Sequence, residues 1–269
     1  MANKTFLKWA GNKSRIMDVL RLHIGGGNRL VEPFMGSGAV FIETRFDQYY
    51  LNDINPDLIG LYNNLKNNLN VLMTELHSLF DGTHNTETKF YDLRKEFNSL
   101  SSATIRKSAI FVYLNRHAFN GLCRYNSRGE FNVPFGKYKT VYFPETEITN
   151  FSTKAQNVVF NCGDFTDVLN QVKSGDIVYC DPPYVPISNT ANFTAYAQTG
   201  FSYEQQKSLA EHAKRLTNIG ARVIISNHDT PVTRELYSDA IIHEISVRRS
   251  VSGKAESRGN AAELIAVFE

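Results

Sequence analysis

Hydrophobic positions in this chain gather into short runs that close on polar residues. Residues 29–34 (RLVEPF), 49–53 (YYLND), 176–181 (DIVYCD) and 222–227 (RVIISN) each have strand length and are followed by polar turns, and 157–160 (NVVF) is a weaker fifth run. Short runs apolar on both faces suit parallel strands covered by helices, because neither face is kept for water. Between them the apolar period lengthens to that of a helix, as in 203–217 ahead of the Ile219-Gly220 stop. The alternation predicts an α/β fold with a Rossmann-like, doubly wound sheet. Toward the end the rhythm changes. Residues 241–251 and 262–268, joined by a polar loop with Gly253 and Gly259, predict an antiparallel hairpin on one sheet edge.

Residues 56–154 interrupt the pattern. Residues 56–79 and 89–115 read as helical, and 116–142 is rich in Asn, Gly, Arg and aromatics without a long apolar period. This predicts a catalytic α/β domain made of 1–55 and 155–269. Residues 56–154 would form an inserted, smaller, mainly helical lobe with a β-hairpin-like loop. A chain of 269 residues can bury a core for both.

Composition adds little, with 42% hydrophobic and 21% charged residues as in an ordinary globular chain. No stretch has the uninterrupted apolar length of a membrane span. The segment MANKTFLKWAGNKSR has no apolar signal core, and Cys123, Cys162 and Cys180 show neither paired nor metal spacing. A cytoplasmic, reducing setting is expected, without disulfides, metal, membrane or an obligate protein partner. The net charge of +2 does not announce a nucleic-acid binder. Its distribution says more, since Arg106, Lys107, Arg116, Arg124, Arg128, Lys137 and Lys139 face only Glu130 across that stretch. Such a run is either a solvated face or a phosphate-contacting surface.

Candidate chemistry begins after the first strand. Phe34-Met35-Gly36-Ser37-Gly38 opens a helix, and Gly36 and Gly38 let the backbone approach a ligand closely. Asp53, at the end of the next strand, can accept both hydroxyls of a ribose. It can equally cap the helix that starts at Pro56. The third position of a dinucleotide fingerprint is Phe41 here, so a cofactor without a pyrophosphate fits better, and S-adenosylmethionine is the common one. Glu32 and Phe34 at the end of the first strand, and Asp164 and Phe165 after the weak one, join the candidate cofactor residues. Trp9 either covers the core, stacks on an adenine or encloses a sulfonium, and Lys13 can bind a carboxylate.

The candidate reaction centre is Asp181, Pro182, Pro183 and Tyr184, which end an apolar strand at the sheet edge where open α/β folds bind ligands. The two prolines stop the strand and stiffen the turn. An exocyclic amine on adenine is a poor nucleophile, because its lone pair is delocalised into the ring. The Asp181 carboxylate and the Pro182 carbonyl can each accept one N–H, leaving the lone pair aimed at a methyl donor, while Tyr184 stacks on the base. Methylation of a cytosine ring carbon would need a thiolate. No cysteine here sits in a catalytic-looking loop, and Cys180 lies on the predicted strand as a buried thiol.

With these motifs in hand, the sequence resembles the Dam family of DNA adenine-N6 methyltransferases, which act on GATC. The resemblance runs through FLKWAGNK, VEPFMGSG, LNDIN, LNRHAFNGLCRYN, GEFNVPFGKYK, YCDPPY, NFTAY, ISNHDT and VRRS, in the α-type order. It implies a seven-stranded class I methyltransferase sheet, with Trp9, Lys13, Asp53 and Asp181 contacting S-adenosylmethionine. It places DNA-reading elements on Phe119, Asn120, Gly121, Leu122 and Arg124 and on Pro134 to Lys139, which includes Lys137 and Tyr138, with Lys8 at the first guanine. Phe119 stands where bacterial members often carry tyrosine. In physical terms Arg124 can donate two hydrogen bonds to a guanine edge. Phe119 can fill the gap left by an extruded adenine, with Asn120 facing the orphaned thymine. Arg116, Asn126, Asn132 and Lys139 are candidates for phosphate contacts on double-stranded DNA. Residues 188–200 are either a flap over the extruded base or an ordinary surface loop.

Overall fold

The computed structural model describes residues 4–184, 201–248 and 260–269. The segment 188–200, the serine and second arginine of VRRS, and the loop with Gly253 and Gly259 lie outside the described residues. In chain order the elements are α1 (Met17–Ile24), β1 (Arg29–Glu32), α2 (Ala39–Glu43), β2 (Gln48–Asp53), α3 (Pro56–Asn67), α4 (Leu69–Leu79), α5 (Glu87–Ser99) and α6 (Ile105–His117). They continue with α7 (Glu145–Lys154), β3 (Val158–Cys162), α8 (Phe165–Leu169), β4 (Ile177–Cys180), α9 (Tyr203–Asn218), β5 (Arg222–His228), α10 (Pro231–Leu236), β6 (Ile241–Arg248) and β7 (Asn260–Phe268).

The chain divides into two compact units. One comprises Met1–Arg15, Met35–Thr44 and Asp53–Cys162, and the other Ile16–Phe34, Arg45–Asn52 and Gly163–Glu269. The described strands make the expected seven-stranded sheet. Six of them, in the order β2-β1-β4-β5-β7-β6, belong to the second unit, and β3 belongs to the first. β2, β1, β4 and β5 run parallel, while β7 is antiparallel to β5 and β6 to β7. This is the doubly wound α/β sheet with a C-terminal hairpin that the apolar runs predict. All four residues of β4 are buried, as are five of the seven in β5. Their backbone groups are satisfied by neighbouring strands, so burial costs no hydrogen bonds. A bidentate pair between Arg29 and Asp176 ties the start of β1 to the turn before β4.

The first unit holds all of residues 56–154, and its helices differ from the pattern in length. The stretch 56–79 is broken at Asn68, and 89–115 at Leu100–Thr104. The second break is chemical. Thr104 turns to extended backbone and its side chain accepts the Lys107 N–H, which starts α6 afresh. α6 is the central helix of this unit, with ten of its thirteen residues buried. Lys107, on α6, is one of them. It forms an ion pair with Asp57 at 3.0 Å and donates to the Leu100 carbonyl, so the buried charge is compensated. After α6 the chain makes a short 3-10 turn, Phe119–Gly121, and then a narrow hairpin held by Asn132 N–H to Arg124 O and Asn126 N–H to Glu130 O.

Candidate functional site

In the first unit the glycine turn is built by its neighbours. Gly36 has φ of +49°, and a Cβ there would stand 2.8 Å from the Trp9 indole nitrogen. A side chain at 36 is therefore excluded both by backbone conformation and by the indole lying against the turn. Gly38, at φ of +72°, sits at the N-cap of α2 in the left-handed region. Tyr62 on α3 donates to the Gly36 carbonyl at 2.6 Å, and Asn12 donates to Ser37 Oγ at 3.0 Å. The Gly36 N–H is held by Asp53, whose Oδ2 accepts it at 3.0 Å while Oδ1 accepts the Asn55 N–H.

Asp53 thus leaves the helix cap to Asn55, whose side chain accepts from Asp57 and Leu58 N–H. Asp53 is therefore not the cap of α3, although its carboxylate accepts the N–H of the residue that is. Burial raises the Asp53 pKa, and its backbone hydrogen bonds pull the other way. Trp9 is half-buried, with its indole lying against the glycine turn. Lys13 is buried and its ammonium donates to the Gly11 carbonyl at 2.9 Å. The arrangement fits an adenosine cofactor, with an indole face, a close-approach turn and a fixed carboxylate for vicinal hydroxyls.

The second unit supplies the other predicted residues. Glu32 ends β1 fully buried. Phe34 stacks on Phe165 with ring centroids 5.4 Å apart. Asp164 caps α8, its carboxylate accepting from the Thr166 N–H at 2.9 Å and hydroxyl at 2.7 Å. Asn52 joins the two ends, donating to the Pro33 and Gly163 carbonyls. Among the cofactor candidates of this unit Phe34 and Phe165 thus pack as an aromatic pair, and Asp164 also holds a helix start.

At the end of β4, Asp181 accepts a hydrogen bond from Ser226 Oγ at 2.9 Å. The Tyr179 hydroxyl lies 2.9 Å from that same Ser226 oxygen. Ser226 is wholly buried on β5. Gln206 on α9 donates to the Pro183 carbonyl at 2.8 Å, fixing the stiff turn from behind. Tyr184 donates to Glu263 Oε2 at 3.1 Å and meets the His228 ring edge-on. Burial, and after it the neighbouring Asp181, pushes the Tyr184 phenol well above its ordinary pKa, so it stays a donor. The thiols are also held protonated by burial, Cys180 upward and Cys123 to about 12. Neither offers the thiolate that ring-carbon methylation requires. Ser226, Gln206, Asn52, Tyr62, His228 and Glu263 are functional neighbours that pattern reading does not single out. Their signal is a polar side chain inside or at the rim of an apolar run.

The predicted DNA-contacting residues sit together in the first unit. Phe119 is 50% exposed, and Asn120 beside it takes φ of +54°. The Phe119 N–H donates to the Pro134 carbonyl, so the 119 turn and the 134 segment are one structure. Lys8 is bound into it, because Asn115 accepts its N–H and donates to its carbonyl, both at 2.8 Å. The Lys8 ammonium lies 4.3 Å from the Tyr138 ring centroid. Burial and then Arg116 lower its pKa. Arg116 donates to the Tyr142 carbonyl. Arg124 donates through Nε to Asn132 Oδ1 at 2.8 Å, which aims its guanidinium. Asn126 is the hub of the hairpin turn, accepting the Arg128 and Glu130 N–H groups and donating to the Glu130 carboxylate. Leu122 is half-buried, while Lys137, in the left-handed region, and Lys139 are exposed.

A family model described as D12 class N6 adenine-specific DNA methyltransferase matches residues 9–251. The chain is 48% identical over 267 residues to the DNA adenine methylase of Escherichia coli K12, covering 99% of this chain and 96% of that protein. It is 47% identical to the DNA adenine methylase of Serratia marcescens, covering 99% and 98%, and 44% identical to that of Vibrio cholerae, covering 98% and 96%.

Proposed function

The chain belongs to the D12 class of N6 adenine-specific DNA methyltransferases, and from that premise we propose that its site is GATC in duplex DNA, that the target adenine leaves the stack, and that Asp181 to Tyr184 receive it. The enzyme methylates adenine N6 in DNA with S-adenosylmethionine as donor. That cofactor supplies an electrophilic methyl on a sulfonium.

The observation that carries the assignment is the Asp181 carboxylate, fixed by Ser226 beside a turn that Gln206 also fixes. An acceptor held this way takes a hydrogen bond from one amine N–H and costs no reorganisation during reaction. The Pro182 carbonyl takes the second N–H. The nitrogen lone pair then points away from both acceptors, toward the methyl. Tyr184 gives the base a flat surface.

In this reading Trp9, Lys13, Gly36, Gly38 and Asp53 bind the cofactor, with Asp53 on the ribose and Lys13 on the carboxylate. Glu32, Phe34, Asp164 and Phe165 serve the same ligand. Residues 56–154 are the target-recognition domain, and 1–55 with 155–269 the catalytic one. Arg124 reads a guanine edge, Lys8 the first guanine, and Phe119 fills the vacated position with Asn120 against the thymine. The exposure of Phe119 leaves its ring accessible for that role. Leu122, Pro134, Lys137 and Tyr138 belong to the reading surface, and Arg116, Asn126, Asn132 and Lys139 to the phosphate contacts. The substrate is double-stranded DNA of a bacterial nucleoid or phage-infected cell, in the cytoplasm. Among the described residues no helix is long and apolar enough to cross a membrane.

The test is transfer of labelled methyl to matched duplexes, one with GATC and one with the same bases scrambled, and identification of the product base. N6-methyladenine in the GATC duplex alone is expected. Equal labelling of both duplexes overturns the site.

A further inference from the structure

The C-terminal hairpin contributes to the reaction centre as well as to the sheet edge. β7 runs antiparallel to β5, and in that register His228 stands opposite Glu263. Directly opposed residues present their side chains on one face, about 5 Å apart. Tyr184 lies against this pair. Its hydroxyl donates to Glu263 Oε2 at 3.1 Å, and its ring meets the His228 ring at 75° with centroids 4.7 Å apart.

Glu263 is a lone acid in an otherwise apolar stretch, AAELIAVF, and only 9% exposed. A carboxylate so placed is costly unless hydrogen-bonded. The Tyr184 phenol, held protonated, is a permanent donor to it. One contact leaves an aromatic ring free to turn about its bonds. A second, at another point, fixes the plane. Hydroxyl to Glu263 and ring edge to His228 are two such points.

We propose that Glu263 is a positioning residue for methyl transfer, acting through the Tyr184 hydroxyl to set the plane on which the target base stacks. The proposal rests on the reading of Tyr184 as that stacking surface.

The experiment measures kcat, the KM for DNA and cofactor, and melting temperature for Glu263→Ala, Glu263→Gln, Tyr184→Phe, Tyr184→Ala and the double variant Tyr184→Phe with Glu263→Ala. Glu263→Ala should lower kcat by about ten- to a hundredfold, the range of a hydrogen bond to a charged group, with cofactor KM unchanged. Glu263→Gln keeps an accepting oxygen and should recover most of that loss. The double variant should be no slower than the slower single one, because both remove one bond. Losses that multiply, a Gln variant as slow as the Ala variant, or Tyr184→Phe at the parental kcat would overturn the proposal. Tyr184→Phe keeps the packing, so it decides the matter even where Glu263→Ala fails to fold. Tyr184→Ala separates the two readings. If it is inactive while Tyr184→Phe is parental, only the clamp fails. If it too is parental, the stacking role of Tyr184 fails.

Discussion

Replacing Ser226 with alanine separates the chemistry of the site from its stability. The Ser226 hydroxyl has one proton and gives it to Asp181 at 2.9 Å. The bond to Tyr179 at 2.9 Å must then run the other way, with the phenol donating. Two buried hydroxyls thus form a relay that ends on the carboxylate. Removing the serine oxygen costs Asp181 a charge-assisted hydrogen bond of about 1.5–3 kcal/mol and loosens the aim of its carboxylate on the amine. It also orphans the Tyr179 hydroxyl, which is 2% exposed, at about 1–3 kcal/mol of folding stability.

The two costs fall in different assays. Single-turnover methyl transfer should slow by about ten- to a hundredfold at saturating substrates, with both KM values near parental. Urea unfolding should show the second loss. Adding Tyr179→Phe to Ser226→Ala removes the orphaned hydroxyl, so it should return much of the stability and none of the turnover. A Ser226→Ala enzyme within about twofold of the parental rate, well short of the ~1.4 kcal/mol of a tenfold change, would refute the positioning role.

Other expectations follow from the same geometry. Asp53→Ala removes the fixed acid at the glycine turn and should weaken cofactor binding by at least about tenfold in calorimetry, and unaltered affinity would remove it from the cofactor set. Arg124→Ala should relax discrimination at its guanine by about 1–3 kcal/mol, read as the ratio of kcat/KM on GATC and on single-base variants, and an unchanged ratio would exclude it from the reading residues. His117 is buried and stacked on Tyr113, and burial holds its pKa down to about 4. Its folded pKa lies below the unfolded value of about 6.5, so its neutral form supports the fold fully above that value. Stability should drain as pH falls toward 4, by about 3 kcal/mol across the window. Melting curves of His117→Asn should lose that part of the slope, and an identical slope would contradict it.

How much of this was legible in the sequence depends on whether the information is local. Asp181 to Tyr184 stand out because one short stretch both ends a buried strand and carries the chemistry. Phe119 and Asn120 are reached only through the family resemblance, whereas the glycine turn and Asp53 are local in the same way. Residues that hold these groups are not. Ser226 reaches Asp181 across 45 positions, and Glu263 reaches Tyr184 across 79. What joins them is sheet register, β4 beside β5 and β5 beside β7, and a period-two pattern does not encode which strand lies next to which. Part of the signal is nonetheless there. A serine and an asparagine ending RVIISN, and one acid in AAELIAVF, are polar groups in runs that burial should empty of them. Such a residue requires a partner inside the protein. When the nearest motif carries a carboxylate or a phenol at the same sheet edge, that motif is the first place to look. The missed helix break at Leu100–Thr104 was local, since Thr104 is a good cap, but the apolar period on both sides hid it. Hydrophobic spacing reports what is buried, and the hydrogen-bonding capacity left over inside those buried runs reports what is held for function.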